Sequence, residues 1–263
     1  MIVRFVKAHG AGNDFLLIES LEAAADYAAL ARGMCDRHAG VGADGLIVFT
    51  GPASIRLFNS DGSEAELSGN GTRCAAAVRI AEGRAASEVT IETLAGPKRL
   101  RLLDRQDDHF VFEMNMGRPG YRQDEVDCVL ETSRGPQRVT ILDVGNPQCA
   151  LLVESLAFDW EGLGREIEGH ARFPRRTNVS FLQIVDRHTV EARFYERGAG
   201  PTLSSGTGST GAAAAAILWG RAESPVRVVT QAGDLDLEWR DGDMYLRGPA
   251  EIVARGEFHW RTR

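Results

Sequence analysis

Short segments rich in apolar, β-branched and aromatic residues recur along the chain, and polar turn-forming residues separate them. Such segments between turn formers are typical of strands. The predicted strands are residues 2–8, 14–19, 46–49, 55–59, 88–94, 98–104, 109–114, 138–144, 149–153, 178–185, 189–195, 225–231, 234–239 and 243–247, with a strand-like tail at 250–258. Four segments are predicted to be helices: 22–34, 70–82, 161–168 and 207–219. This order of elements predicts an α+β fold.

One short motif occurs twice, each time at the start of an alanine-rich predicted helix. It reads Ser-Gly-x-Gly and begins at Ser68 and again at Ser205, 137 residues later. The same offset aligns Asn59 with Glu196, each at the end of a predicted strand. We therefore expect two pseudosymmetric lobes, each a curved, mostly antiparallel sheet around a central helix.

The segment at residues 117–120, Gly-Arg-Pro-Gly, is rich in turn formers and is expected to link the two lobes. We assign residues 1–117 to the N-terminal lobe, together with the tail 250–263, and residues 118–249 to the C-terminal lobe.

The motif serines have two possible roles. The simpler one is that Ser68 and Ser205 cap their helices through the side-chain oxygen. The duplication favours a further role, because a buried helix N-terminus needs a partner and a substrate carboxylate supplies one. Glu196 is either half of a solvated charge pair or a group that contacts the ligand, since strand ends that face a cleft carry such groups.

Other polar residues stand in turns or at strand edges. Asn13, Asn146 and Asn178 are typical turn asparagines, and His38 and Asp44 lie in a glycine-dense loop where a structural hydrogen-bonding role is the simplest interpretation. The Gly-x-Gly of that loop lacks the strand–loop–helix setting of a dinucleotide fingerprint.

Composition restricts the class of ligand. A net charge of −7 argues against a nucleic-acid surface and favours a neutral or zwitterionic small molecule. The chain has only two lysines, Lys7 and Lys98, which disfavours pyridoxal phosphate, and its four cysteines have neither disulfide-exchange nor zinc spacing. We expect a reduced, cytoplasmic protein without a structural metal. No apolar run is as long as a membrane span, and the first residues indicate a strand, not a signal peptide.

The chain resembles the diaminopimelate epimerase family, whose members are cofactor-independent amino-acid epimerases. The matching stretches are residues 9–15, 36–45, 58–63, 69–74, 145–147 and 195–200. The resemblance implies two lobes with a ligand cleft between them, an α-carboxylate held at both motif helices, no cofactor, and a homodimer. It also implies interconversion of LL- and meso-2,6-diaminopimelate by two-base proton transfer at Cα, in the supply of lysine and peptidoglycan precursors. The positions that it assigns to substrate binding are Asn13, Asn59, Gly69, Asn70, Asn146, Asn178, Glu196, Arg197, Gly206 and Thr207.

The chain departs from the family pattern where the chemistry takes place. The family has a catalytic cysteine before each Gly-x-Gly, one to remove the α-proton and one to return it from the opposite face. This chain has Ser68 and Ser205 at those positions. Gln148 stands where the family has histidine, and Pro201 stands where it has glutamate.

Serine is a far weaker acid than cysteine. The pKa of a free thiol is about 8.5 and that of an unassisted hydroxyl is far higher, so forming the alkoxide costs roughly 7 more pK units, or ~10 kcal/mol. Helix N-termini and desolvation shift such values by a few units only. A relay from Ser205 to Glu196 provides a carboxylate base in the second repeat, whereas Asn59 occupies the corresponding position in the first. We therefore assign catalytic roles to Ser68, Ser205 and Glu196.

Three hypotheses remain open at this point. The first is an epimerase of diaminopimelate or a related amino acid that uses the two serines with assistance, or an altered copy whose natural cysteines were replaced. The second is a one-base lyase or dehydratase of the same fold. The third is a binding protein that keeps the anion site without turnover.

Overall fold

The computed structural model describes residues 1–21 and 26–260 of the chain. These residues contain four α-helices and 18 strands, so the predicted α+β class is confirmed. The chain divides into two compact units: unit 1 is Met1–Met114 with Gly248–Arg263, and unit 2 is Asn115–Arg247.

Unit 1 begins with a hairpin. Its elements are β1 (Ile2–Gly10), β2 (Asn13–Glu19), α1 (Tyr27–Cys35), β3 (Gly45–Phe49), β4 (Ile55–Asn59), β5 (Glu64–Ala65), α2 (Gly69–Ala81), β6 (Glu88–Thr93), β7 (Gly96–Gln106) and most of β8 (His109–Gly117). Adjacent strands pair antiparallel, except for the parallel pair β2 and β3. The turn between β1 and β2 uses Ala11 and Gly12 at φ of 49° and 77°. Two successive left-handed residues match the twist of a tight hairpin, and the predicted hairpin is confirmed.

Unit 2 is also dominated by antiparallel strands. After the end of β8 it contains β9 (Gly120–Tyr121), a 3-10 turn (Gln123–Glu125), β10 (Cys128–Thr132), β11 (Gly135–Asp143), β12 (Pro147–Leu152), α3 (Trp160–Glu168), β13 (Asn178–Asp186), β14 (Thr189–Glu196), β15 (Gly200–Thr202), α4 (Gly206–Leu218), β16 (Val226–Thr230), β17 (Gly233–Arg240) and the first part of β18 (Asp243–His259). The parallel pairs are β12 with β13 and β14 with β16.

The last strand is a single element. The sequence predicts two extended segments, at 243–247 and 250–258, and both are strand in the structure, but the predicted break between them is absent. The backbone remains extended through Gly248 and Pro249, so β18 is 17 residues long. It pairs antiparallel first with β17 in unit 2 and then with β1 in unit 1.

Several elements differ from the sequence prediction in extent. The sequence analysis missed β5, β9 and β15, which have two or three residues each, too few for a clear pattern, and it also missed the five-residue β10. Helix α1 begins at Tyr27, where the predicted helix begins at 22; Asp26 caps it by accepting a hydrogen bond from the Ala29 amide at 2.9 Å. Predicted positions 22–25 and the tail residues 261–263 lie outside the described residues.

Each unit contains a central helix that begins at the repeated motif. Helices α2 and α4 are 13 residues long and contain the alanine runs Ala75–Ala77 and Ala212–Ala216, all of which are fully buried. Helix α2 contacts β1, β2, β6 and β7, and α4 contacts β11 to β14, β16 and β17. Because alanine side chains are small, strands approach these helices on several sides, and the N-terminus of each helix is buried as well.

Candidate active site

The two motif helices begin with the same cap. Ser68 Oγ accepts a hydrogen bond from the Gly71 amide at 3.1 Å, and Ser205 Oγ accepts one from the Gly208 amide at 3.0 Å. Both serines have extended backbones, as N-cap residues do. The simpler interpretation of the motif serines, helix capping, is therefore confirmed in both copies.

The second glycine of each motif makes room for the capping serine. A Cβ atom on Gly208 would lie 2.7 Å from Phe194 Cδ1 and 2.8 Å from Ser205 Oγ. One on Gly71 would lie 3.0 Å from the Ile47 side chain. Glycine is needed at these positions because neighbouring side chains occupy the space that a methyl group would fill.

In unit 1, a chain of amides lies at the start of α2. The guanidinium of Arg73 donates to Asn70 Oδ1 at 2.6 Å, Asn70 Nδ2 donates to Asn13 Oδ1 at 3.2 Å, and Asn13 Nδ2 donates to Asp44 Oδ2 at 2.7 Å. Asn13 and Asn70 are both buried. The structure therefore brings together these two predicted binding residues in a fixed orientation.

The charge of Arg73 is buried without a carboxylate beside it. Its other hydrogen bonds are donated to the carbonyl oxygens of Pro249 and Gly69, at 3.0 and 3.2 Å, and no described acidic residue forms an ion pair with it. Burial lowers the pKa of Arg73 to about 10, so the guanidinium remains charged at neutral pH. A cation near the start of α2 adds to the positive end of the helix dipole and favours an anion at the helix N-terminus.

A cluster of charged side chains includes Asp44, the acceptor for the Asn13 side chain. The carboxylate of Asp14 forms ion pairs with Lys7 at 3.0 Å and with Arg37 at 2.7 Å, and Arg37 also pairs with Asp44 at 2.8 Å. Burial acts to raise the pKa of Asp14, but hydrogen bonds from Arg37 and Lys7 outweigh it, and the pKa is lowered. The predicted structural role of Asp44 is confirmed, because its carboxylate accepts hydrogen bonds from the Asn13 side chain and from the Asp14 amide.

In unit 2, a carboxylate accompanies the capping serine. Ser205 Oγ donates a hydrogen bond to Glu196 Oε1 at 2.6 Å. Glu196 is the last residue of β14, and Ser205 is 2% exposed. A buried hydroxyl that accepts from a helix amide and donates to a carboxylate is positioned to pass a proton to that carboxylate.

A second group of amides lies at the start of α4. Asn146 Nδ2 donates to Thr207 Oγ1 at 3.3 Å, and Asn146 Oδ1 accepts from Gln148 Nε2 at 2.6 Å. Gln148 is fully buried, and its Oε1 has no hydrogen-bond partner among the described residues. A buried acceptor of this kind is costly unless a ligand donor satisfies it. Gln148 is therefore a further candidate for ligand contact.

Asn178 connects three parts of unit 2. Its Nδ2 donates to the Pro147 carbonyl oxygen at 2.9 Å, and its Oδ1 accepts from the Arg197 amide at 3.0 Å. The Arg197 guanidinium donates to the Arg175 carbonyl oxygen at 3.2 Å. These bonds hold the turn after β14 against the starts of β12 and β13, and the structure thus connects Asn178 and Arg197.

The two motif serines, Ser68 and Ser205, differ in their hydrogen-bond partners. Asn59, the counterpart of Glu196, donates from Nδ2 to Ser63 Oγ at 3.0 Å and makes no hydrogen bond to Ser68. Among the described residues, Ser68 Oγ has the Gly71 amide as its hydrogen-bond partner and is not hydrogen-bonded to a carboxylate. Of the two motif serines, only Ser205 is therefore hydrogen-bonded to a described acid.

The cysteines do not replace the missing thiols. Cys74 and Cys149 are fully buried. Burial raises the pKa of the Cys74 thiol to about 12 and also raises the pKa of Cys149. These thiols are protonated at neutral pH and cannot act as bases.

In the described ranges, no group of three or more His, Cys, Asp and Glu side chains could hold a metal ion. Likewise, none of the described helices is long and apolar enough to cross a membrane.

The sequence analysis missed Arg73 and Gln148. The repeat contains a signal for Arg73, since the residue 137 positions later is Thr210, so the arginine is specific to the first copy. Gln148 was noted only as a departure from a family pattern. Its burial and its unpaired oxygen depend on how α4 packs, which local sequence does not reveal.

Comparison with known families gives a match over most of the chain. The family model described as diaminopimelate epimerase matches residues 5–121 and 140–253. A diaminopimelate epimerase of Pelotomaculum thermopropionicum is 40% identical over 280 residues, which cover 99% of this chain and 100% of the relative. One of Methanococcus maripaludis is 35% identical and covers 97% of this chain and 99% of the relative.

Solved structures with low sequence identity share the fold. A probable proline racemase of Agrobacterium radiobacter K84, with bound carbonate, has a TM-score of 0.78 at 13% identity, over 97% of this chain and 92% of that one. A hydroxyproline epimerase of Agrobacterium vitis, with bound trans-4-hydroxy-L-proline, has a TM-score of 0.76 at 15% identity, over 98% and 92%.

Proposed function

The chain belongs to the diaminopimelate epimerase family, and we infer that it is an isomerase that interconverts LL- and meso-2,6-diaminopimelate. The observation that carries this conclusion is the matched pair of serine-capped helix N-termini, one in each unit, in a chain of this family. Each helix end offers backbone amides to an anion, and the reaction requires two groups that exchange a proton with one carbon atom.

We assign substrate binding to the helix ends and the amides around them. The amides of Gly69 and Asn70 in unit 1, and of Gly206 and Thr207 in unit 2, are suited to the α-carboxylate. The side chains of Asn13, Asn59, Asn146 and Asn178 offer both donors and acceptors, which suits a substrate with ammonium and carboxylate groups. Arg197 adds a cation for a carboxylate, and Glu196 adds an anion for an ammonium group.

The chemistry that we propose is removal and return of the Cα proton without a cofactor. The electron pair left on Cα delocalises into the α-carboxylate, and the positive ends of α2 and α4 stabilise the added charge there. Arg73 strengthens this effect in unit 1. The proposal assigns one face of Cα to Ser205 with Glu196 and the other to Ser68.

The remaining expectations belong to the same proposal. We propose that the protein acts as a homodimer in the cytoplasm and supplies precursors of lysine and peptidoglycan. Mass measurement in solution by light scattering tests the dimer, and growth of a strain that needs diaminopimelate tests the biosynthetic role.

The direct test is proton exchange and inversion of pure diaminopimelate diastereomers in D2O. We expect deuterium at Cα by NMR and the second diastereomer by chiral chromatography. The S68C/S205C variant is assayed beside the wild type, because it places a thiol at both motif positions. Failure of both proteins to exchange or invert diaminopimelate, with folding intact by circular dichroism, would contradict the proposed function.

A one-base elimination is the second candidate, and the carboxylate present in unit 2 alone favours it. A lyase needs one base and a leaving group on the β-carbon. Release of a 2-keto acid from β-hydroxy amino acids, without inversion of diaminopimelate, would support this activity in place of the epimerase.

A further inference from the structure

The two serines differ in what can accept their protons. The Ser205 hydroxyl donates to the carboxylate of Glu196 at 2.6 Å. The Ser68 hydroxyl is not hydrogen-bonded to a carboxylate among the described residues; Glu66 lines the same pocket as Ser68 but makes no hydrogen bond to that hydroxyl. Asn59, which occupies the position of Glu196 in the repeat, is hydrogen-bonded to Ser63.

From this difference we propose that the protein exchanges the Cα proton on one face only, through Ser205 and Glu196, and returns it to the same face faster than it inverts the centre. The inference rests on the proposed function and specifies its stereochemistry. It makes exchange with retention the main reaction of the chain, and it makes one diastereomer the better substrate for exchange.

The exchange step balances within unit 2. The Cα–H bond breaks, its electron pair stays on Cα and delocalises into the α-carboxylate, and the proton passes to Ser205 Oγ. The proton of Ser205 passes at the same time to Glu196 Oε1, so the serine is never a free alkoxide. The protonated carboxyl group exchanges with solvent, and the reverse transfer places a solvent proton on the same face of Cα.

Inversion requires Ser68 and is therefore slow. Ser68 can protonate the carbanion, but it is then left as an alkoxide, because no described carboxyl group is hydrogen-bonded to it to replace the proton. In the reverse direction, Ser68 would have to remove the Cα proton, and its hydroxyl lies roughly 7 pK units above a cysteine thiol. Because the forward and reverse paths share one transition state, inversion is slow from both diastereomers.

The test separates exchange from inversion and uses two matched cysteine variants. Each pure diastereomer is incubated in D2O with wild type, S68C or S205C, and deuterium content and configuration are followed over time. We expect wild type to label one diastereomer at least about 10-fold faster than it inverts it. S68C should raise inversion at least about 100-fold, because a thiol then serves the second face, whereas S205C alone should not.

The role of Glu196 is tested by E196Q with E191Q as its control. Both residues lie on β14, but Glu191 is paired with Arg193 and is not hydrogen-bonded to a serine. We expect E196Q to reduce exchange by about 100-fold or more and E191Q to leave it unchanged. Substrate-induced thermal shifts show whether E196Q remains folded and still binds.

The outcomes distinguish this inference from the proposed function. Equal rates of exchange and inversion in wild type, equal labelling of both diastereomers, or a wild type that neither exchanges nor inverts while S68C/S205C inverts would each overturn the one-face inference and leave the epimerase assignment standing. Loss of all reaction with diaminopimelate in both wild type and S68C/S205C would instead overturn the proposed function, and the inference with it.

Discussion

Arg73 is fully buried and donates a hydrogen bond to Asn70 Oδ1 at 2.6 Å, so a cation that pairs with no described carboxylate orients an amide of the candidate site. The same guanidinium bonds to the Pro249 carbonyl oxygen in β18. One side chain thus connects the motif helix α2 to the strand that returns to unit 1 and adds positive charge at the helix N-terminus.

The first prediction concerns this cation. We expect R73M to raise the KM for diaminopimelate about 10-fold, because it removes charge from the anion site. It also removes the hydrogen bonds that the guanidinium donates to Asn70 Oδ1 and to the carbonyl oxygens of Gly69 and Pro249, which should lower the free energy of unfolding by roughly 2–4 kcal/mol. Steady-state kinetics and urea unfolding measure the two effects.

The control is R79M on the same helix. Arg79 is also buried but is paired with Glu19 at 2.6 Å near the opposite end of α2. R79M should destabilise the protein by a similar amount and leave KM unchanged. An equal rise in KM for both variants would indicate a purely structural role for Arg73.

The second prediction uses the space beside Ser205. A methyl group on Gly208 would lie 2.8 Å from Ser205 Oγ and 2.7 Å from the Phe194 ring. We expect G208A to lower the free energy of unfolding by about 1–3 kcal/mol and to reduce Cα exchange at least about 10-fold, because it displaces the serine from Glu196.

G169A is the matched control for this substitution. A Cβ atom on Gly169 would lie 3.8 Å from its nearest neighbour, the Arg165 carbonyl oxygen, in ordinary contact. G169A should change stability by less than about 1 kcal/mol and should preserve exchange. If G208A retained the wild-type exchange rate, the position of Ser205 would not matter for the reaction.

The sequence predicts the helix caps and the first turn of the site, because each of these features depends on neighbouring residues. The caps at Ser68 and Ser205 follow from the motif itself, and the turn between β1 and β2 follows from a glycine between two alternating segments. The relay between Ser205 and Glu196 was a hypothesis from position in the repeat, and the hydrogen bond at 2.6 Å supplies the contact that such a relay needs.

Contacts between residues far apart in the sequence could not be predicted from local sequence patterns. Arg73 bonds to a carbonyl oxygen 176 residues away, and no pattern within α2 indicates that partner. The continuity of β18 through Gly248 and Pro249 was missed for a similar reason. Pairing with β17 on one side of these residues and with β1 on the other keeps the backbone extended, which outweighs two residues that commonly end strands.

The third prediction concerns acid stability. The pKa of Asp14 is lowered because hydrogen bonds from Arg37 and Lys7 outweigh its burial. A carboxyl group with a lowered folded-state pKa stabilises the fold fully above its unfolded value of about 3.9, and this contribution is lost as pH falls through the folded value. D14N should therefore cost about 2 kcal/mol at pH 7.

The measurement is urea unfolding of wild type and D14N between pH 7 and pH 2. The difference between the two proteins should be constant down to about pH 4 and should shrink below it, because the wild-type carboxylate becomes protonated. A difference that stayed constant down to pH 2 would show that Asp14 stabilises the fold by packing and not by its charge.

The fourth prediction concerns Gln148, whose Nε2 donates to Asn146 and whose buried Oε1 has no described partner. Q148M keeps the length of the side chain and removes both polar groups. It removes an unsatisfied buried acceptor, so the loss of stability should be less than about 1 kcal/mol, but it leaves Asn146 Oδ1 without its donor. The Kd for diaminopimelate, measured by calorimetry, should therefore rise about 10-fold.

Q148E is the matched control, because it retains an oxygen acceptor and replaces the donor with a second oxygen. If the unpaired oxygen contacts the substrate ammonium group, Q148E should bind more tightly than Q148M; equal affinity in both variants would assign the whole effect to the bond with Asn146.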